Sequence, residues 1–134
     1  MDELIAQLLA LAVAWSGYPA PTIVPAVHIV PAARIPCPCA GFYAYIKRFH
    51  SYGGAPENTG ELLLRDDVDL HALYGRSILL HELVHALQAQ QGPAEYGSAL
   101  WFRREREAYK IQYRFLRAGR FAEHDDRWLP AGGD

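Results

Sequence analysis

The sequence predicts an α+β fold made of an N-terminal helix, a small twisted antiparallel or mixed sheet of three or four short strands, and two long helices that follow the sheet. Residues 2–16, 70–91 and 95–118 show the apolar pattern of helices. Residues 41–49 and 61–68 are rich in aromatic and aliphatic side chains and flank a loop marked by glycine, proline and asparagine, which is typical of neighbouring strands.

Length and composition set the number of domains and exclude some partners. The 134 residues are expected to form one domain over 1–134, with its core in about 22–118. A hydrophobic fraction of 51% is enough to build that core, and a charged fraction of 21% is ordinary for a globular protein. The net charge of -2 gives no signature of a polyanion-binding protein, so no nucleic-acid partner is expected.

The N-terminal stretch is apolar from Leu4 to Trp15 except for Gln7, and it is shorter than the ~18 residues of a membrane span. Asp2 and Glu3 precede it, where a signal peptide would carry lysine or arginine. Both acidic residues suit the start of a helix. We therefore expect a buried amphipathic helix, with a degenerate signal sequence as the alternative. No membrane span is expected, and a cytoplasmic location is slightly favoured over a secreted one.

The segment 18–40 holds six of the nine prolines and cannot be a central strand throughout. Two short β-rich pieces, 22–24 and 27–30, fit between prolines as edge or irregular strands. Cys37 and Cys39 are too close in sequence to be the framework of a disulfide-stapled domain. Two free thiols are expected, with a local bridge or half of a metal site as alternatives.

The first long helix carries the residues HELVH at 81–85. Residues four apart lie on one face of a helix, so the imidazoles of His81 and His85 can reach one tetrahedral Zn²⁺. Glu82 is offset around the helix, where it can take a proton from metal-bound water. The alternative is a chance match that involves two histidines and an ordinary glutamate.

The expected helix around this motif begins after Asp69 as N-cap and stops at Gly92. Ser77 and Gln88 fall on the same face as the two histidines, whereas leucines lie on the opposite side. The histidines are therefore expected on a polar, cleft-like face. This segregation favours a functional site over a structural histidine pair.

A catalytic zinc ion takes three protein ligands and keeps one position open. Glu105 lies on a partly apolar face of the second long helix, where the small Ala108 allows close approach of the two helices. Glu107 lies among arginines and a lysine on a face expected to be solvated. Glu105 is therefore the predicted third ligand, with a helical ion pair as its alternative role, and His124 and Asp125 are fallback ligands.

HELVH followed by a helix that carries the residues EREA at 105–108 resembles the gluzincin class of zinc metallopeptidases, and the chain is similar in size to the single-domain minigluzincins. The resemblance covers about 61–118 and implies a zincin-like fold. The metzincin pattern is excluded, because it needs glycine and histidine where the chain has Gln88 and Gln91. The resemblance implies that the metal ligands are His81, His85 and Glu105 and that the general base is Glu82.

The chain departs from the gluzincin pattern at one position. Many members carry an aspartate four residues after the glutamate ligand, where it orients a histidine, and this chain has Tyr109 there. The alternative partners for the histidines are Asp66, Asp67 and Asp69. The group that stabilises the oxyanion is not identified by a motif, and its candidates are Tyr109, Tyr113 and His124.

In that family, an edge strand ahead of the active-site helix binds an extended substrate by strand addition, and residues 61–68 occupy this place. The predicted function is that of a zinc-dependent peptidase, a hydrolase that cleaves a peptide or protein substrate with metal-activated water and uses Zn²⁺ as its cofactor. The alternative is a non-catalytic zinc-binding interaction module of degenerate peptidase fold.

One further pattern lies on the second long helix. Basic residues recur there at spacings of three or four, opposite the proposed site. We interpret them as a solvated face; the alternative is a surface for nucleic acid, an acidic partner or lipid head groups, which would suit a nucleic-acid-associated regulator. This basic stripe consists of Arg103, Arg106, Lys110, Arg114 and Arg117.

Overall fold

The computed structural model describes residues 1–44, 47–48, 57–58 and 60–124. Eight helices and strands follow one another within these ranges, and a short 3₁₀ helix at Ala32–Arg34 lies between the first two strands. In chain order they are α1 (Asp2–Ser16), β1 (Ala26–Val30), β2 (Gly41–Ala44), β3 (Lys47–Arg48), β4 (Glu57–Asn58), β5 (Glu61–Arg65), α2 (Leu73–Ala89) and α3 (Ala99–His124).

The bounds predicted for α1 are confirmed. The helix ends because Gly17 adopts a left-handed conformation with φ 81°, and its N–H donates to the carbonyl oxygen of Val13. Ile5, Leu8 and Ala12 are buried, and α1 packs with them in the core that α2 also lines. The N-terminal apolar stretch is therefore part of the core. No helix in the described ranges is long and apolar enough to cross a membrane.

The main sheet has the order β1-β5-β2, with β1 parallel and β2 antiparallel to β5. Leu62 and Leu64 of β5 are fully buried in the core. The α+β prediction with a small mixed sheet is thus confirmed. The expectation that 61–68 is an edge strand is wrong, because β1 and β2 pair with both sides of β5. The strand predicted at 22–24 is also absent, since it lies between two prolines that lack the N–H group a ladder needs.

The predicted strand 41–49 is shorter in the structure, where β2 ends at Ala44. The next strands, β3 and β4, form a separate antiparallel pair. Most of the predicted loop between 51 and 60 lies outside the described residues.

The start of α2 differs from the prediction. Asp69 is not its N-cap: its Oδ1 accepts a hydrogen bond from the N–H of His71 at 2.9 Å, and the helix begins only after Ala72. In this turn the aspartate oxygen accepts a backbone N–H two residues later, much as it would in an N-cap. The sequence alone therefore does not separate the two structures. Gly75 lies against the backbone of Asp69 and has no space for a side chain.

The bounds of α3 also differ. It begins after Ser98, whose Oγ accepts the N–H of Trp101 at 3.1 Å, and it continues past Gly119, which was expected to follow its last turn. The side chain of Leu73 occupies the space beside Gly119, so packing selects glycine there and no turn is required. Ala108 is fully buried at the contact with α2, as predicted from its small size.

The expectation of free thiols is wrong, because Cys37 and Cys39 form a disulfide with their Cα atoms 5.2 Å apart. This distance is within the usual range for a bridge. The disulfide lies in the segment that leads into β2.

Candidate metal centre

Three side chains from two helices converge on one point. His81 and His85 lie one turn apart on α2, and Glu105 reaches them from α3, with the ligand atoms within 4.8 Å of one another. The two Nε2 atoms are 3.1 Å apart, His81 Nε2 is 3.5 Å from Glu105 Oε1, and His85 Nε2 contacts the same oxygen. Among the described residues, no other group of three histidine, cysteine, aspartate or glutamate side chains could hold a metal ion.

Two of the three separations fit a metal site. Ligand atoms ~2.0–2.1 Å from a tetrahedral ion lie about 3.3 Å from one another. The two longer separations, 3.1 Å and 3.5 Å, bracket this value. Two imidazole nitrogens and a carboxylate oxygen also form a donor set that divalent transition metals accept. The cluster could therefore hold a metal ion with little rearrangement.

A glutamine orients each histidine. Nδ1 of His81 lies 2.9 Å from Oε1 of Gln112, and Nδ1 of His85 lies 2.7 Å from Oε1 of Gln88. An amide oxygen only accepts, so each Nδ1 carries a hydrogen and each Nε2 faces the cluster. In the metal-free protein Nε2 can donate to Glu105, and after loss of that proton it can give its lone pair to a metal ion.

The orientation of both amides follows from their other partners. Nε2 of Gln88 donates to the carbonyl oxygen of Arg104 at 2.8 Å and to Oε1 of Glu107 at 2.9 Å, and both partners only accept. Nε2 of Gln112 donates to Oγ of Ser77 at 3.1 Å. That hydroxyl in turn donates to a backbone carbonyl at 2.6 Å, so it must accept from the amide.

The aspartates expected to orient the histidines do not do so. Asp67 pairs with Arg65 at 2.5 Å, and Asp69 accepts from a backbone N–H. Asp66 donates its own N–H to the carbonyl oxygen of Val30, and the Nδ1 partners are the glutamines described above. Gln88 lies on the histidine face of α2, and Gln112 lies seven residues after Glu105 on the same face of α3. Helical spacing identifies both positions, but the gluzincin pattern implies an acid in this role.

Glu82 lies beside the cluster and is only 7% exposed. Gly41 of β2 packs against it, and a Cβ atom at position 41 would lie 2.8 Å from Cγ of Glu82. Burial raises the pKa of the Glu82 carboxyl, and the nearby positive charge of His85 and His81 opposes this shift. The edge strand β2 and the helix α2 therefore hold a buried carboxyl next to the cluster.

Glu105 and Glu107 have different roles, as predicted, but the role expected for Glu107 is wrong. Hydrogen bonds with His81 and His85 lower the pKa of Glu105 to about 2, against the effect of burial. Glu107 is not a solvated residue paired along its own helix: it is half-buried, and it accepts from Gln88 and from the hydroxyl of Tyr18. It therefore supports His85 through Gln88.

The expected oxyanion groups lie at different distances from the cluster. The ring of Tyr109 contacts that of His81, with the centroids 4.5 Å apart. Burial and the charge of Glu105 raise the pKa of Tyr109, so its hydroxyl stays protonated at neutral pH. Tyr113 stacks on Tyr109 at 6.0 Å and is further out. The side chain of His124 and all of Asp125 lie outside the described residues.

The contacts of Glu105 predict how the metal-free protein responds to acid. Its folded-state pKa of about 2 lies below the ordinary value of 4.5. The unfolded chain therefore binds more protons between these values, and the stabilisation is complete above about pH 4.5 and lost as the pH falls towards 2. We expect a loss on the order of 2 kcal/mol, after allowance for solvent screening. Urea unfolding at a series of pH values would measure it.

Glu105→Gln should flatten that pH dependence, whereas Glu95→Gln, which changes an exposed glutamate, should leave it unchanged. Equal pH dependence in the wild type and in Glu105→Gln would contradict the assignment of this effect to the cluster.

Comparison of the chain with protein-family models, with curated proteins and with solved structures gave no match.

Proposed function

We propose that the protein is a zinc-dependent peptidase of gluzincin type. The observation that carries the proposal is the convergence of two Nε2 atoms and one carboxylate oxygen at separations of 3.1 Å and 3.5 Å, with the buried carboxyl of Glu82 beside them. Imidazole and carboxylate ligands suit zinc, whereas calcium and magnesium prefer oxygen ligands throughout. When bound, Zn²⁺ would lower the pKa of a water ligand to ~7 and polarise a peptide carbonyl.

In this proposal, Glu82 is the general base. Its carboxyl is held against Gly41 and is shielded from solvent, and it lies next to His81 in the sequence of α2. It would accept the proton of the attacking water and then transfer it to the leaving amine. Burial raises its pKa, which makes the carboxylate a stronger proton acceptor.

Tyr109 is better placed than Tyr113 to stabilise the oxyanion. Its ring lies against His81, and its hydroxyl is protonated at neutral pH and can donate. Its side chain is 45% exposed, so it can adjust when a substrate arrives. Tyr113 would support it by stacking.

The edge strand β2 is the place where we propose that an extended peptide pairs by strand addition. It replaces residues 61–68 in this role, because β5 is central in the sheet. Gly41 has no side chain, which brings the backbone of β2 close to Glu82. A peptide aligned on β2 would therefore present its carbonyl groups near the proton acceptor.

The proposal is tested by proteolysis with defined metal content. Metal-free protein, zinc-loaded protein and zinc-loaded protein treated with a chelator are each incubated with a mixture of unstructured peptides, and new termini are identified by mass spectrometry. We expect cleavage only by the zinc-loaded protein. Zinc-loaded protein that is folded and holds one ion per chain but cleaves nothing would contradict peptidase activity.

A second candidate is a non-catalytic zinc-binding module of the same architecture. One observation favours it: both histidines are oriented by neutral glutamines, whereas a carboxylate in this position would make the imidazole a stronger ligand. This candidate predicts stoichiometric zinc in the folded protein and no cleavage products in the same assay.

The glutamines give a prediction about metal affinity. Gln112→Leu should weaken zinc binding about 10- to 100-fold, because the Nδ1–H of His81 loses its acceptor and the ring loses its fixed orientation. Competition with a chromophoric zinc chelator measures the affinity. Gln90→Leu, which changes an exposed residue at the end of α2, is the matched control and should bind as the wild type does. An unchanged affinity in folded Gln112→Leu would show that the glutamine does not act on the metal site.

A further inference from the structure

The exposed face of α3 beside the cluster carries two parallel rows of side chains. The first is an aromatic row formed by Phe102, Tyr109 and Tyr113, which are 51%, 45% and 59% exposed. The second is the basic stripe, whose five side chains are all exposed. At about 100° per residue, the aromatic row lies between Glu105 and the basic stripe. We call the two rows together the α3 face.

The cations of the basic stripe form no ion pair with any carboxylate that the structure describes. Within the described ranges, no carboxylate lies within 4.0 Å of any of the five. A solvated helix commonly places acidic residues three or four positions from its basic ones. Beside the stripe only Glu107 has this spacing, four residues after Arg103 and three before Lys110, and its hydrogen-bond partners are Gln88 and Tyr18. Arg114 lies over the ring of Trp15, with Cζ 4.1 Å from the ring centroid, so its described contact is with an aromatic ring. The α3 face is therefore a local excess of positive charge on a chain whose net charge is -2.

We propose that the α3 face binds an acidic polypeptide segment, so that preferred substrates carry acidic and apolar residues close to the cleaved bond. The link to cleavage rests on the peptidase proposal; the binding itself does not. The face is continuous with the cluster, because Tyr109 contacts His81 and Tyr113 stacks on Tyr109. A chain that crosses from the cluster onto the surface of α3 meets the aromatic row first, and the basic stripe runs alongside that row.

The dimensions fit a short peptide. The stripe runs from Arg103 to Arg117, about 21 Å along the helix at ~1.5 Å per residue. An extended peptide covers this length with about six residues. Side chains alternate along such a peptide, so one set can meet the cations while the other packs on the tyrosines. Tyrosine suits this role, since it gives a large contact area at a small cost in side-chain entropy.

The small extent of the positive charge distinguishes a short acidic peptide from a nucleic acid as the ligand. At physiological ionic strength the field of the stripe is screened within about 8 Å. A nucleic acid extends beyond the α3 face and would meet the rest of the chain, which carries a net charge of -7 when the five cations of the stripe are left out. A short acidic segment stays within the range of the five cations. The charge distribution therefore favours the peptide.

The test measures binding by metal-free protein, so it does not depend on cleavage. Fluorescence anisotropy compares a labelled peptide of alternating glutamate and leucine with the same peptide carrying glutamine in place of glutamate. We expect tighter binding of the glutamate peptide, with a difference that shrinks as salt is added. The double variant Lys110→Glu, Arg117→Glu should bind it about tenfold more weakly. Arg34→Glu, an exposed arginine outside the α3 face, is the control and should bind normally.

Three results would overturn the inference: equal affinity for the two peptides, an equal loss of affinity in Arg34→Glu, or tighter binding of single-stranded oligothymidylate than of the glutamate peptide. The last would assign the face to nucleic acid. If the glutamate peptide binds selectively but the zinc-loaded protein cleaves no peptide, only the peptidase proposal is contradicted. If the zinc-loaded protein cleaves acidic and neutral peptides equally well and binds neither selectively, only this inference is contradicted.

Discussion

Glu82→Gln should lower kcat/KM for peptide cleavage by about 100- to 10,000-fold while zinc binding stays stoichiometric, since this is the usual contribution of a general base. The amide has the size of the carboxyl and cannot accept the proton. Size matters here, because Glu82 is 7% exposed and Gly41 packs against it, so a larger replacement would displace β2. The ligands His81, His85 and Glu105 are untouched. The rate loss therefore isolates proton transfer from metal binding.

The measurement is the initial rate of cleavage by zinc-loaded wild type and variant, with the zinc content of each determined by mass spectrometry. Glu95→Gln makes the same chemical change at an exposed position and should cleave at the wild-type rate. A Glu82→Gln variant that holds zinc and keeps most of its rate would show that another group carries the proton.

Zinc should raise the thermal stability of the wild type, and His85→Ala should abolish this effect. A ligand present at about 100 times its Kd stabilises the folded state by about 2.7 kcal/mol. For a chain of this size that is a rise in Tm of about 10 °C. His85 contributes one of the three atoms that could hold the ion and lies against Glu105, so its loss leaves two of them.

Differential scanning fluorimetry with zinc and with a chelator measures the shift. His71→Ala removes an exposed histidine close to the start of α2 and should keep the full effect. A zinc-dependent shift that survives in His85→Ala would mean that the stabilising ion binds elsewhere.

Local signals account for the parts of the fold that could be predicted. Gly17 marks the end of α1 because glycine adopts the left-handed conformation at little steric cost, whatever its neighbours are. Pairing of β1 with β5 joins residues 35 apart in register, as in Ala26 with Glu61, and no local pattern specifies it. The same holds at Gly119, where the requirement for glycine comes from Leu73 on another helix.

In the candidate site, too, local patterns predict some residues and not others. Helical spacing alone places His81 beside His85, and the composition of the two faces of α3 selects Glu105 as the residue that reaches them. The role of Glu107 could not be predicted, because its partners Gln88 and Tyr18 come from two other parts of the chain. Charged neighbours along α3 suggested a solvated residue, and burial between elements overrides that local pattern.

Gln88 does more than orient the ring of His85. It contacts His85 through its oxygen, and through its nitrogen it fastens α2 to the backbone and to a side chain of α3. One amide thus orients His85 within α2 and also joins α2 to α3. Metal affinity and helix docking are therefore thermodynamically coupled and must act on each other by the same factor. A substitution that loosens the helix pair far from the cluster should weaken metal binding, and the metal should slow hydrogen exchange along both helices.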